Sequence, residues 1–139
     1  MNIDSIQNGI VIDHISAKKG LKIYEALELE KLDCSVAIIT NAKSVKMGKK
    51  DIIKIDKNIN LDLSLIGYLD PNVTINIIKN NERIDKYHVK LPKEIVNIIK
   101  CKNPRCITSI EQELDNVFVL TDKEKKIYRC KYCETEFYS

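Results

Sequence analysis

The sequence predicts an α+β protein in two parts, and two observations carry this prediction. Over residues 1–91, β-branched apolar runs alternate with amphipathic runs in the order β-α-β-β-α-β, followed by one further strand. Over residues 92–139, four cysteines form two short-spaced pairs among short strand patterns. We therefore expect an α+β fold with an N-terminal ferredoxin-like antiparallel sheet and two helices (1–91), followed by a small antiparallel β zinc-ribbon-like domain (92–139).

Five strands and two helices are predicted in the N-terminal domain. The first strand opens at Gly9, and Ser16 is expected to cap the helix that follows, with Leu21 on its buried side. A polar loop with Gly48 as its turn residue precedes the third strand, and Pro71 follows the second helix. The predicted strands cover residues 9–15, 34–40, 51–56, 73–79 and 83–90, and the predicted helices cover residues 17–31 and 61–69.

The C-terminal domain is expected to begin with a short helix. Pro92 suits the first turn of a helix over residues 93–100, which would lead into the first cysteine and couple the two domains stiffly. Two antiparallel strands, 117–120 and 126–129, then lead into the second cysteine pair. So few residues cannot build a stable core by burial alone, and a bound metal would supply the missing stability.

The cysteine spacing predicts a four-thiolate zinc site. The pairs follow the patterns C-x4-C and C-x2-C with 23 residues between them, and the histidines, His14 and His88, lie outside this domain. A site closed by four thiolates has no open position for substrate, so one structural Zn²⁺ per chain is expected. Its predicted ligands are Cys101, Cys106, Cys130 and Cys133. The cations that would offset its formal charge are Lys102, Arg105, Arg129 and Lys131.

These cysteines have two alternative interpretations. Disulfides are disfavoured because no signal peptide opens the sequence, which also predicts a cytoplasmic protein. Iron sites of the rubredoxin type usually have glycine in their C-x2-C loops, and neither pair here contains one. The fifth cysteine, Cys34, lies in an apolar run and is expected to be a small buried side chain.

The composition disfavours several classes of function. The net charge is +3, and residues 92–139 carry 9 basic and 8 acidic side chains, which is less basic than a nucleic-acid-binding zinc ribbon. No apolar run approaches the length of a membrane span. No Walker loop, dinucleotide fingerprint or catalytic cysteine–histidine pattern is present, so we expect no enzyme activity and no nucleic-acid or membrane partner.

A few polar residues of the N-terminal domain are candidates for binding a small anion. Asp13 and His14 close the first strand, where a carboxylate could accept from ribose hydroxyls and an imidazole could reach a phosphate. Lys50 and Lys54 belong to the third-strand region, and Lys86 on the fifth strand could bring a further ammonium group. Taken alone, these residues favour the simpler interpretation of a capping Asp–His pair with solvated lysines.

Several motifs occur in an order that indicates a protein family more specifically than any single motif does. They are residues 9–15 (GIVIDHI), 47–55 (MGKKDIIKI), 71–76 (PNVTIN), the first cysteine pair, and residues 129–134 (RCKYCE). In this order they closely resemble the regulatory chain of aspartate carbamoyltransferase over essentially the whole sequence.

The resemblance implies a non-catalytic subunit of pyrimidine biosynthesis. It would bind the effectors CTP, UTP and ATP in an allosteric domain, form a regulatory-chain homodimer, and dock on catalytic chains through its zinc domain. By motif position, Asp13 and Lys54 would bind ribose and base, and Val11 and Ile6 would wall the base. The implied phosphate contacts are His14, Lys50, Asn76 and Lys86.

Two other functions remain open at this point. One is a zinc-ribbon protein that binds nucleic acid or assists transcription, for which the aromatic residues near the C-terminus could stack bases. The other is a stand-alone small-molecule sensor without a catalytic partner. Assembly with a catalytic chain separates both of them from a regulatory subunit.

Overall fold

The computed structural model describes residues 6–111 and 113–138, and the chain divides into two compact units, Met1–Lys90 and Leu91–Ser139. In the first unit the strands and helices are β1 (Gly9–Ser16), α1 (Gly20–Ala26), β2 (Val36–Ser44), β3 (Gly48–Ile55), α2 (Leu63–Leu69), β4 (Thr74–Lys79) and β5 (Glu82–His88), with a short 3₁₀ turn at Leu29–Lys31.

The first unit is the predicted antiparallel sheet with two helices. Its strand order is β2-β3-β1-β4-β5, with every neighbouring pair antiparallel. Alternate isoleucines of the central strands, such as Ile10, Ile12 and Ile53, are almost fully buried in one apolar core with Ile23 and Ile66 of the helices. Because side chains alternate between the faces of a strand, the intervening residues lie on the opposite face. The ferredoxin-like prediction is confirmed.

The first helix is much shorter than predicted. It begins at Gly20 rather than residue 17 and ends at Ala26, and the left-handed backbone of Glu28 (φ +56°) separates it from the 3₁₀ turn. Ser16 lies in β1 instead of capping the helix, and Leu21 is exposed while Ile23 is buried. Among the described residues, no helix is long and apolar enough to cross a membrane.

The region predicted as a polar loop is largely a β-hairpin. Strands β2 and β3 extend to Ser44 and Gly48, and the register pairs Lys43 with Lys49 near the tip. Gly48 has φ +79°, which confirms it as the turn residue. The lysines made this segment look like solvated loop, but Lys43 and Lys49 are exposed residues of paired strands.

A buried carboxylate ties β3 to the beginning of α1. Asp51 is fully buried, and its side chain accepts hydrogen bonds from the backbone N–H groups of Gly20 (2.9 Å) and Asn41 (3.1 Å). A Cβ atom at Gly20 would lie 2.9 Å from Asp51 Oδ2, so glycine is needed at this contact.

Replacing Asp51 by alanine is expected to destabilise the first unit by about 3 kcal/mol, because it leaves two backbone donors without their partner. Urea unfolding followed by circular dichroism measures this. Asp56→Ala is the matched control, since Asp56 is an exposed residue just after the same strand and should cost less than about 0.5 kcal/mol. Equal unfolding midpoints for the two variants would show that the Asp51 contacts are not structural.

The second unit is a small four-stranded antiparallel sheet. Its elements are β6 (Glu94–Val96), α3 (Ile107–Ile110), β7 (Val117–Asp122), β8 (Ile127–Cys130) and β9 (Glu136–Tyr138), with strand order β6-β7-β8-β9. Ile95, Phe118 and Tyr128 are its most buried apolar side chains, and Tyr128 donates its hydroxyl to the Pro92 carbonyl at 2.6 Å. This confirms the predicted small antiparallel β domain.

The helix predicted over residues 93–100 is wrong. Residues Glu94–Val96 form β6 and pair with β7, and only the middle residue, Ile95, is buried. This pattern of one buried residue between two exposed ones has the period of a strand. Asn97 has φ +58° and donates its side-chain amide to Asp115 (2.9 Å), so the backbone turns just where a helix would have had to continue. The stiff helical connector expected from the sequence does not form.

Candidate metal centre and effector site

The four C-terminal cysteines converge on one point. Their Sγ atoms all lie within 4.8 Å of one another, with Cys101–Cys133 at 3.5 Å and Cys106–Cys130 at 3.6 Å. A tetrahedral Zn²⁺ with Zn–S bonds of about 2.3 Å has sulfur–sulfur edges of about 3.8 Å. The four sulfur atoms therefore fit the four positions around one tetrahedral zinc ion, and no position is left for water or substrate.

Each cysteine pair is held by its own turn. In the first, the Asn116 side chain accepts from the Cys101 N–H (3.1 Å), and the Cys106 N–H donates to the Asn103 carbonyl (3.1 Å). In the second, Cys130 ends β8, and Glu134 turns the chain with φ +62° and donates its N–H to the Cys130 carbonyl at 2.9 Å. The turns present paired thiol groups to a shared centre, as the spacing predicted.

The surroundings of the sulfur atoms favour a bound cation. Burial raises the pKa of the Cys101 and Cys130 thiols, whereas hydrogen bonding with Thr108 lowers the pKa of Cys106 and hydrogen bonding with Thr135 outweighs burial to lower that of Cys133. Ionisation of Cys101 and Cys130 therefore requires a compensating positive charge such as a metal ion. Of the cations that flank the ligands in sequence, Lys102 lies over the Phe137 ring (5.5 Å) and Arg129 pairs with Glu136 (2.5 Å). These two basic side chains are engaged with other partners of the same unit.

Four of the predicted nucleotide-binding residues lie in one row across the sheet of the first unit. Val11 of β1 is in register with Lys54 of β3 on one side and Asn76 of β4 on the other, and Asn76 is in register with Lys86 of β5. Neighbouring strands lie about 4.8 Å apart, so the row spans about 14 Å. Alternation places it on the face opposite the isoleucine core.

Asp13 lies on the same face, one position beyond Val11 in strand alternation. Its carboxylate forms an ion pair with Lys50 at 2.9 Å, and both side chains are largely buried. Burial raises the pKa of Asp13, but the hydrogen bonds from Lys50 and from the His14 N–H outweigh this, so the pKa lies below its usual value. The structure thus brings together two residues that were separate candidates in the sequence.

His14 occupies a β-bulge. The pairing of β1 with β3 shifts register between Ile12 and Ile15, and His14 has φ +56°, uncommon for a residue other than glycine. Its Nδ1 lies 2.7 Å from Thr74 Oγ1. Burial lowers the pKa of the imidazole, the nearby ammonium groups of Lys50 and Lys86 lower it further, and Asp13 acts in the opposite direction. Without a bound ligand, the His14 side chain is therefore mostly neutral at neutral pH.

Asn76 has an unused acceptor in the middle of the row. Its Oδ1 is buried and has no hydrogen-bond partner among the described residues, while its Nδ2 makes a long 3.5 Å contact with the Val11 carbonyl. A buried amide oxygen without a partner is costly, and a ligand donor would satisfy it.

Ile6 is also buried, with its Cγ2 atom 3.0 Å from where a Cβ atom of Gly9 would be.

A cavity of about 360 Å³ adjoins His14. Besides His14 it is lined by Lys46, Met47, Pro71, Asn72 and His88. Lys46 and His88 were not among the site residues predicted from the sequence. The signal for His88 is its register, because it pairs with Thr74, which pairs in turn with Asp13. Lys46 reaches the cavity from the β2–β3 turn, within the segment 41–50 that was predicted to be a polar loop.

Comparison with known proteins supports the same division of the chain. The model of the aspartate carbamoyltransferase regulatory chain, allosteric domain, matches residues 1–90, and that of the metal binding domain of the same chain matches residues 93–139. The matches cover both units of the structure, and the second contains all four clustered cysteines. The cluster and the metal-binding family together support one structural zinc per chain.

Relatives with the name aspartate carbamoyltransferase regulatory chain match over nearly the full length. A protein of Clostridium botulinum is 54% identical over 139 residues, which are 100% of this chain and 94% of the relative. One from Clostridium acetobutylicum is 51% identical over 96% of this chain and 92% of its own, and one from Bifidobacterium longum is 39% identical over 98% of each. These names do not favour the nucleic-acid-binding alternative. The chain therefore belongs to the aspartate carbamoyltransferase regulatory chain family and is a non-catalytic regulatory subunit.

Proposed function

We propose that this chain binds CTP, UTP or ATP on the open face of its N-terminal sheet and passes the effect of binding to catalytic chains of aspartate carbamoyltransferase. In this proposal residues 1–91 form the allosteric nucleotide-binding domain and residues 92–139 form the zinc domain that docks on the catalytic chains. The observation that carries the nucleotide part is the row Lys54–Val11–Asn76–Lys86 across four strands.

The chemistry of the row suits a nucleotide. Val11 offers an apolar surface between two ammonium groups, and the unused Asn76 Oδ1 offers an acceptor. We assign Asp13 and Lys54 to ribose and base, because a carboxylate accepts from hydroxyl groups and Lys54 is next to Val11 in register. Val11 and Ile6 are assigned to the walls around the base. The proposed phosphate contacts are His14, Lys50, Lys86 and, through its Nδ2 donor, Asn76, while Asn76 Oδ1 would accept from a hydroxyl or amino group of the nucleotide.

The cavity beside His14 supplies room for the phosphate chain. It adds the ammonium group of Lys46 to those of Lys50 and Lys86, and it adds the imidazole of His88 as a further hydrogen-bonding group. With only four glycines, the chain has no glycine-rich loop for binding phosphates through backbone N–H groups. Side-chain cations are the available alternative, and their concentration at this end of the sheet supports a polyanionic ligand.

The docking part of the proposal concerns the zinc domain. Ile107, Ile110 and Leu114, which follow Cys106 in sequence, are exposed apolar side chains of a very small unit. A catalytic chain that covers them would remove apolar surface from water, which favours association. The zinc ion would hold the backbone of this segment in place through Cys106.

A regulatory homodimer is the other proposed assembly. Strands β2 and β5 are the edges of the five-stranded sheet, so each presents backbone groups without a neighbouring strand among the described residues. Antiparallel pairing of one such edge with its copy would satisfy those groups and extend the sheet. Nucleotide binding affects the catalytic chains only if the nucleotide affinity differs between two states of this assembly. A ligand of the catalytic chains that shifts these states then changes the nucleotide affinity by the same factor.

The pH dependence of CTP binding tests the nucleotide assignment. The pKa of His14 lies below its usual value in the free chain, and a bound phosphate favours its protonated form, so binding takes up a proton. Affinity measured by calorimetry should therefore rise severalfold from pH 8 to pH 6. Protonation of the phosphates themselves opposes this rise equally in all variants.

His14→Gln is the informative comparison. It keeps a polar side chain but has no titrating group, so its CTP affinity should show a flatter pH profile than that of the unaltered chain. A pH profile that is the same in both proteins would remove His14 from the phosphate site. Absence of measurable CTP, UTP and ATP binding to the unaltered chain would refute the nucleotide proposal as a whole.

A further inference from the structure

We propose that Thr108 and Thr135 are positioning residues of the metal centre, each donating its hydroxyl to a zinc-bound thiolate. Thr108 Oγ1 lies 3.1 Å from Cys106 Sγ, and Thr135 Oγ1 lies 3.1 Å from Cys133 Sγ. Both distances are within the range for a hydrogen bond to sulfur. Since a thiolate can only accept, the hydroxyl is the donor once the metal is bound. This inference depends on the metal centre and not on the nucleotide site.

The local backbone explains why threonine stands at these positions. Each of the four sulfur atoms has the backbone N–H of the residue two positions later as a hydrogen-bond partner, so the side chain of that residue also begins close to the sulfur. These four residues are Asn103, Thr108, Tyr132 and Thr135. Threonine is the one residue type among them with a hydroxyl directly on Cβ. Each cysteine pair has such a threonine, always after its second cysteine.

Hydroxyl donors beside the sulfur atoms would stabilise the negative charge of the metal centre. Zinc with four thiolates carries a formal charge of −2, and Cys106 is almost fully buried, with Thr108 only 7% exposed. Lys102 and Arg129, two of the cations expected to offset this charge, contact Phe137 and Glu136. Hydroxyl donors that touch the sulfur atoms directly would spread the negative charge and orient the ligands, as outer partners of metal ligands commonly do.

Zinc affinity of the full chain, measured by competition with a colorimetric zinc chelator, tests the proposal. Thr108→Val keeps the shape of the side chain but removes the hydroxyl, and it should weaken zinc binding by about 10-fold or more. Thr108→Ser restores a hydroxyl and should recover most of the affinity. Thr121→Val is the matched control, because Thr121 is exposed and donates to the Ile127 carbonyl (3.2 Å) rather than to sulfur.

A second readout separates hydrogen bonding from general loss of structure. In the Co²⁺-substituted chain, removing a donor from a thiolate raises the energy of the sulfur electrons, so the sulfur-to-metal charge-transfer band should move to longer wavelength in Thr108→Val and in Thr135→Val. Thr121→Val should leave the band in place. Unchanged zinc affinity in both valine variants, an affinity loss that Thr108→Ser does not recover, or an unmoved band would each overturn the proposal. If Thr108→Val fails to fold, the half-buried Thr135 provides the same test.

Discussion

Replacing Cys106 by serine is expected to release the zinc ion, unfold the second unit and abolish association with catalytic chains. Cys106 is almost fully buried, and its Sγ lies 3.6 Å from Cys130 Sγ in the cluster. A structural zinc site contributes about 10–16 kcal/mol at neutral pH in small zinc domains, far more than a sheet of this size gains by burial. Loss of one thiolate therefore removes most of the stability of the unit.

Three measurements follow the consequences of this substitution. Zinc content of the purified chain should fall from one ion per chain to a small fraction, the circular dichroism of the second unit should be lost, and gel filtration with catalytic chains should show no complex. Cys34→Ser is the control: Cys34 lies in the first unit and outside the cluster, so zinc content and assembly should be retained. Full assembly by Cys106→Ser chains without zinc would contradict the docking role of the metal domain.

Replacing Lys86 by alanine is expected to weaken CTP binding by about 10- to 100-fold while zinc content and assembly stay unchanged. Lys86 ends the row of residues across the sheet, and its ammonium group adds to the positive field at His14. A hydrogen bond to a charged group contributes about 1.5–3 kcal/mol, which corresponds to this range of affinity. Its exposed position on the edge strand β5 means that the substitution removes no buried contact.

The control for Lys86 is another exposed lysine. Lys57 follows β3, and its ammonium group lies 3.8 Å from the exposed carboxylate of Asp33. Lys57→Ala also removes one positive charge, so a general effect of net charge would appear in both variants. Calorimetry should show a clear loss for Lys86→Ala and almost none for Lys57→Ala. Equal affinities in the two variants would mean that the row across the sheet is not the nucleotide site.

The metal centre and the sheet were the parts most accessible from the sequence. Short-range spacing defines a thiolate turn, so the four cysteines could be grouped without knowledge of the fold. Isoleucines at every second position similarly predicted the central strands, because Ile10 and Ile12 had to share one face. The register between strands was less accessible, because only the pairing of β4 with the distant β1 and with β5 places Asn76 between Val11 and Lys86.

The wrong helix over residues 93–100 shows where local patterns stop being sufficient. A run with isoleucines and a valine after a proline suits either a helix start or an edge strand, and pairing with β7 decided the outcome. The bulge at His14 was missed for a related reason, because it depends on contacts with another strand, such as the pairing of Ile15 with Asp51, that no short window of sequence contains. The hairpin formed by β2 and β3 is a local pairing, and it was missed because its lysine-rich sequence is also typical of a solvated loop.

The most direct test of the central claim is the nucleotide response of a reconstituted enzyme. Catalytic chains would be assayed at subsaturating aspartate, alone and in complex with this chain, in the presence of CTP, UTP or ATP. We predict that at least one nucleotide changes the rate of the complex, none changes that of the isolated catalytic chains, and Lys86→Ala shifts the response to higher nucleotide concentration. A complex that forms and binds nucleotide by calorimetry, yet keeps the same rate with all three nucleotides, would contradict the account.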